Sequence, residues 1–137
     1  ISPEQEVEIL SNQMEHHPID QLRPCVTVED IFKLKQQVKQ VRVSPELKRY
    51  VVDITNATRQ AEGVQLGASP RGSIALMKVA QALALCDGYS FVTPDHIQEI
   101  AVPVLAHRLV METQAQFSGT TAENVVTDIL KTLSVPA

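Results

Sequence analysis

The chain has no tryptophan, and aromatic residues make up only 4% of its 137 positions. Its apolar share of 44% is therefore carried by Ala, Val, Leu and Ile, a composition suited to closely packed helices. No apolar run approaches the roughly 18 residues of a membrane-spanning helix, so no membrane association is expected. No basic start followed by an apolar core announces a signal peptide. Basic residues are in deficit, 12 against 16 acidic ones, giving a net charge of -4. Phosphate neutralisation needs clustered Lys and Arg, so nucleic acid is not the expected partner. The two cysteines, Cys25 and Cys86, stand far apart and make neither a metal site nor a disulfide framework. A cytoplasmic location is the corresponding expectation. The sequence opens on Ile1 without a methionine, which suggests a piece of a longer polypeptide.

The motifs of a self-sufficient enzyme are missing as well. The chain contains no G-x-x-x-x-G-K-[ST] loop and no G-x-G-x-x-G fingerprint. His16 and His17 are adjacent, so they point to different faces and read as exposed residues at a helix end. His96 and His107 have no acid or cysteine at ligand spacing. Cys86 ends an apolar helix, where cysteine usually serves as a small buried hydrophobe. No nucleophile and base are paired by these residues.

What is present is helix punctuation. Ser2 and Pro3 open a segment to about Met14, with Val7, Leu10 and Met14 as its apolar face. Thr27 and Asp30 form a capping-box pattern before the stripe Ile31, Leu34, Val38 and Val41. Ser44 and Pro45 start a helix with Leu47, Tyr50, Val51, Ile54, Ala57 and Ala61 on one face, and Arg49 and Asp53 paired on the other. Thr93 and Pro94 start another, with Asp95 suiting the helix dipole. Pro103 is expected to interrupt it, leaving a short helix to about Ala101 and then a new turn or a kinked continuation through Leu109. "METQAQFSGT" reads as an exposed irregular connector, and Thr120 with Glu123 as the cap of a last helix carrying Val125, Val126, Ile129, Leu130 and Leu133. The alternating pieces before Ser44 and Thr93 can pair as a small two-stranded ribbon. The fold class is thus all-α, a helical bundle with at most one very short ribbon, centred on the helices from Pro45 to Ala61 and Pro70 to Cys86.

One residue does not fit its place. In "LGASPRGSIALMKVAQALALCDG", Ser69 is the expected N-cap, its oxygen taking a free N–H, and Pro70 the first helical residue. From Ile74 to Cys86 only Lys78 and Gln81 are polar, the pattern of a helix buried on most sides. Yet Arg71 sits in the first turn, where a cation faces the positive end of the dipole. Either it reaches solvent or a carboxylate on a neighbouring helix, or it serves a bound anion, because helix N-termini favour phosphate and the guanidinium fork matches phosphate oxygens. Lys78 lies at nearly the azimuth of Arg71, with Gln81 on an adjoining face, so a narrow polar stripe accompanies it.

Several blocks, in order, resemble a known family: "SPEQEVEIL", "VRVSPELKRYVVDITNATR", "GASPR" opening an apolar helix, "GYSFVTPDHI", "PVLAHRL" and "NVVTDILKTLSVP". Together they resemble the C-terminal lid of MoxR-family AAA+ ATPases over nearly the whole chain. The resemblance implies a connector leaving the ATPase core over residues 1–24 and a helical lid over 25–137. It implies that Arg71 is the sensor 2 arginine, the residue approaching the terminal phosphate and so both catalytic and nucleotide-binding, with no metal ligand in this chain. ATP and Mg2+ would be bound mainly by the core, so this segment alone would not hydrolyse ATP. Partners implied are that core, neighbouring subunits of a hexameric ring and von Willebrand factor A domain proteins, in a chaperone that remodels or activates clients. Gly72 departs from the family, which often has alanine there. Two other readings remain at this stage: a free-standing helical interaction module, and the lid of a magnesium chelatase-like or minichromosome maintenance-like ATPase.

Overall fold

In the computed structural model, residues 1–14 and 17–136 are described. The fold is helical, with one small sheet among the described residues. Two compact units are present, Ile1–Lys33 and Leu34–Ala137.

In the first unit, α1 spans Pro3–Asn12, two residues short of the expected end at Met14, and is opened by a full capping box between Ser2 and Gln5. A 3-10 turn, Pro18–Gln21, follows His17, which is exposed and accepts the Ile19 N–H at its Nδ1. The call on His16 lies outside the described residues. Thr27 and Asp30 form the expected capping box: the Thr27 N–H donates to the Asp30 carboxylate at 2.9 Å, and the Asp30 N–H to Thr27 Oγ1 at 3.1 Å. It opens α2, Val28–Gln40.

In the second unit four helices enclose the core: α3 (Pro45–Gln60), α4 (Pro70–Cys86), α5 (Pro94–Leu105) and α7 (Ala122–Thr132). Each packs against the next and α7 closes on α3, so the apolar stripes face a common interior. Ile54, Leu76, Ile97, Leu105 and Val126 are completely buried there, each stabilising by about 1.5–3 kcal/mol relative to exposure. The centre therefore includes α5 beside the expected α3 and α4. Ala57 and Ala61 are only half-buried, whereas Thr55 and Thr58 of α3 are fully buried.

Several expectations are corrected. The α4 helix is fully buried on one face alone, through Gly72, Leu76, Ala80 and Ala84, three of them small. Ile74 and Val79 remain 50% and 40% exposed, and Cys86 is exposed rather than buried. The helix ends in a glycine-dependent reversal: the Tyr89 N–H reaches the Ala84 carbonyl, the Gly88 N–H the Leu85 carbonyl, and Gly88 takes φ +82°. Helix α5 runs through Pro103 to Leu105, because the missing N–H forfeits only a bond to the carbonyl of exposed Glu99. A 3-10 turn, Ala106–Arg108, continues it.

The supposed connector is ordered. Val110–Met111 (β2) pairs antiparallel with Val64–Leu66 (β1), and Thr113–Phe117 forms a short α6. Met111 is buried. Thr121, not Thr120, caps α7, accepting the Asn124 N–H at 3.2 Å, while the Thr120 N–H donates to the Ala115 carbonyl of α6. The two pieces expected to form a ribbon meet in a single parallel bridge between Arg42 and Phe91, while the two-stranded sheet lies elsewhere.

Candidate functional site

The start of α4 is held by α3. Gly67 lies so close to that helix that a Cβ would stand 2.6 Å from the Arg59 Cα and N, a distance at which only glycine fits. Next to it Ala68 is fully buried. Its N–H donates to Thr58 Oγ1 at 2.9 Å, and its carbonyl accepts from Arg59 Nε at 2.7 Å. Thr58 in turn donates to the Thr55 carbonyl, and Thr55 shares a 2.8 Å hydroxyl contact with Ser73 in the first turn of α4. Backbone and side-chain bonds thus hold both sides of the Ser69–Pro70 step.

Ser69 occupies the N-cap position with extended backbone, but its hydroxyl makes no capping bond. The expected side-chain cap is overturned; the Ser69 carbonyl instead accepts the Gly72 N–H at 2.7 Å, a tight 3-10 closure of the turn. Pro70 has no N–H, and the N–H of Arg71 has no partner among the described residues. The exposed Arg71 guanidinium likewise has neither hydrogen bond nor ion pair among the described residues. The ion pair with a neighbouring helix that the sequence left open is not formed among the described residues. No acidic side chain occurs in the first turn, nor anywhere from Leu66 to Ser73. The helix start therefore presents the Ser69 hydroxyl, one amide and a guanidinium as unused donors, with positive potential and no built-in counter-charge.

The other sequence-marked residues separate. Lys78 is exposed and without a partner among the described residues, on the same outer face as Arg71, with Ile74 between them. Gln81 turns away from that face: its Nε2 donates to the Val41 carbonyl at 2.7 Å and ties α4 to the end of α2, so it leaves the polar stripe. His96 is buried at 6% exposure as part of the α5 cap, accepting the Thr93 N–H at Nδ1 with Nε2 3.4 Å from Asp87. His107 Nδ1 donates to the Pro103 carbonyl at 3.0 Å. Among the described residues no group of three or more His, Cys, Asp or Glu side chains is arranged to hold a metal ion. No helix among them is long and apolar enough to cross a membrane.

Sequence reading missed Gly67, Thr58 and Arg59. Thr58 gave a signal, being a polar residue seven positions after buried Val51 on the apolar azimuth of α3. The approach of Gly67 to that helix is long-range and gave none.

Comparison with known proteins agrees with this architecture. Residues 56–129, which run from α3 through the α4 start into α7, match the model of the AAA lid domain family. Protein YeaC of Bacillus subtilis is 45% identical over 96% of this chain and 41% of its own length. Chaperone MoxR1 of Mycobacterium tuberculosis is 32% identical over 98% of this chain and 38% of its own. The crystal structure of a candidate ATPase from Cytophaga hutchinsonii superposes over the whole chain with a TM-score of 0.84 at 25% identity, covering 44% of that protein. The chain thus spans about two fifths of the length of the curated relatives it matches. With its helical ring, its α4 start and these relatives together, the chain belongs to the AAA lid domain family and is the lid segment of a MoxR-type AAA+ protein.

Proposed function

We propose that this lid serves an ATP-hydrolysing enzyme and that Arg71 is its sensor 2 residue, approaching the γ-phosphate of ATP held by a core domain with Mg2+. The observation that carries the reading is the unpartnered Arg71 guanidinium on a rigidly mounted helix start with no acidic neighbour in sequence. A cation placed there without a counter-charge is unfavourable until an anion arrives, and a terminal phosphate supplies one. Loss of that phosphate on hydrolysis would remove the attraction and let the lid respond to nucleotide state.

The exposed apolar residues Ile74 and Val79, with Lys78, offer α4 a surface for that core. Segment 1–24 would be the connector that leaves it. Assembly of the parent protein as a hexameric ring, and partners with von Willebrand factor A domains, belong to the same proposal. Remodelling of client proteins is supported by the chaperone name of the Mycobacterium tuberculosis relative. A cytoplasmic location would suit it.

In the complete polypeptide, Arg71→Ala is expected to lower ATP turnover by on the order of tenfold or more, less than the 10³–10⁵ of an arginine finger, with thermal unfolding unchanged. Full turnover in that variant would remove the assignment.

A further inference from the structure

Gly72 shows what lies beside the Arg71 site. A Cβ at Gly72 would meet Ala68 Cβ at 3.1 Å, Leu105 Cδ2 at 3.4 Å and Arg108 Cδ at 3.9 Å. Only the Ala68 distance is tighter than an ordinary contact; the end of α5 and the turn after it lie at ordinary contact distance from the first turn of α4. Arg108 is thereby brought against that turn. With neighbouring Cα atoms about 3.8 Å apart, its Cδ lies within about 9 Å of the Arg71 Cα, inside the combined reach of the two side chains.

The Arg108 guanidinium is exposed and has no carboxylate partner among the described residues. It donates to the Val104 carbonyl and to the His107 ring, whose Nδ1 donates in turn to the Pro103 carbonyl. Residues 103–111 contain no Asp or Glu, as residues 66–73 contain none. A third arginine, Arg59, is bonded to the Ala68 carbonyl and to Asn56. In a chain of net charge -4, three elements thus bring arginines to one helix start, and none of the three is ion-paired among the described residues. Guanidinium groups remain charged at every working pH, so this helix start keeps a positive potential that favours an anion.

We propose that Arg108 is the second phosphate-facing cation of the Arg71 site: the two arginines, one from the start of α4 and one from the 3-10 turn after α5, take the terminal phosphate of a nucleoside triphosphate from two sides. The inference rests on the γ-phosphate reading of Arg71. To reach the phosphate Arg108 exchanges two neutral acceptors, the Val104 carbonyl and the His107 ring, for a charged one, and charge-assisted bonds are the stronger.

The test measures ATP and ADP affinity and ATP turnover of the complete polypeptide as wild type, Arg71→Ala, Arg108→Ala and the double variant. Arg108→Ala is expected to weaken ATP but not ADP binding and to lower turnover by on the order of tenfold. The double variant should fall less than the product of the single effects, because the residues act on one group. A merely structural role would weaken ATP and ADP alike, and that outcome overturns the proposal. So does an Arg108→Ala enzyme with wild-type ATP preference and turnover beside an impaired Arg71→Ala enzyme, which leaves the Arg71 reading standing. Unimpaired Arg71→Ala overturns both. If Arg108→Ala unfolds, Arg108→Lys keeps the stem beside Gly72 and carries the test: a reduced preference for ATP over ADP supports the proposal, an unchanged one refutes it.

Discussion

The Nε of Arg59 donates to the carbonyl oxygen of Ala68 at 2.7 Å, tying the last turn of α3 to the loop that starts α4. One residue earlier, Thr58 Oγ1 accepts the Ala68 N–H at 2.9 Å. Both polar groups of a fully buried residue are thereby satisfied by a neighbouring helix. The position of Arg71 follows from this pair of bonds.

Thr58→Val keeps the shape but leaves the buried Ala68 N–H without its acceptor. An unsatisfied buried donor costs about 1–3 kcal/mol, and a loss in that range is expected in urea denaturation. Gly67→Ala drives a methyl into the α3 backbone and is expected to cost about 1–3 kcal/mol through overpacking. A neutral Gly67→Ala would show that the close approach is not real.

Ser69 and Ser44 make a controlled comparison. Both precede a proline at a helix start, but only the Ser44 hydroxyl oxygen accepts a capping bond, from the Leu47 N–H at 3.2 Å. Ser44→Ala should therefore lose about 1 kcal/mol, and Ser69→Ala a few tenths at most. Equal losses in chemical denaturation would mean that Ser69 caps after all.

Acid should act on the start of α2. Hydrogen bonds from the Thr27 hydroxyl first, and from its backbone N–H second, hold the Asp30 carboxyl below its ordinary value of 3.8. A depressed carboxyl contributes stability above its ordinary value and loses it as pH falls through the lower folded value. Thr27→Ala should raise the Asp30 titration midpoint toward the ordinary value in carboxyl carbon NMR. An unmoved midpoint would separate the shift from the cap.

Periodicity and caps carried most of the helices, because those signals are local. Pro45, Pro70 and Pro94 open α3, α4 and α5 as read, and the Arg49–Asp53 pair forms at 2.8 Å. The errors share a cause. A serine before a proline does not reveal whether its hydroxyl turns inward, and an apolar helix does not reveal which side is covered. Ile74 and Val79 look like core residues until the positions of α3 and α5 are known. The β1–β2 sheet joins residues 44 or more apart, beyond any local pattern. Arg71 was legible because its charge opposes the dipole of its own helix, a conflict visible within a few residues. Arg108 was not, since its nearness to the start of α4 is a contact between residues 36 apart.

The backbone contact at Gly67 also decides how the domain can respond to a ligand. Loops usually absorb small displacements by adjusting their torsions, which would let Arg71 follow a departing group on its own. Here that slack has been removed: the loop is pressed against α3 and bonded to it on both sides. Were Arg71 to hold a phosphate as proposed, a pull on it would pass to α3 and α4 together, as along a stiff lever.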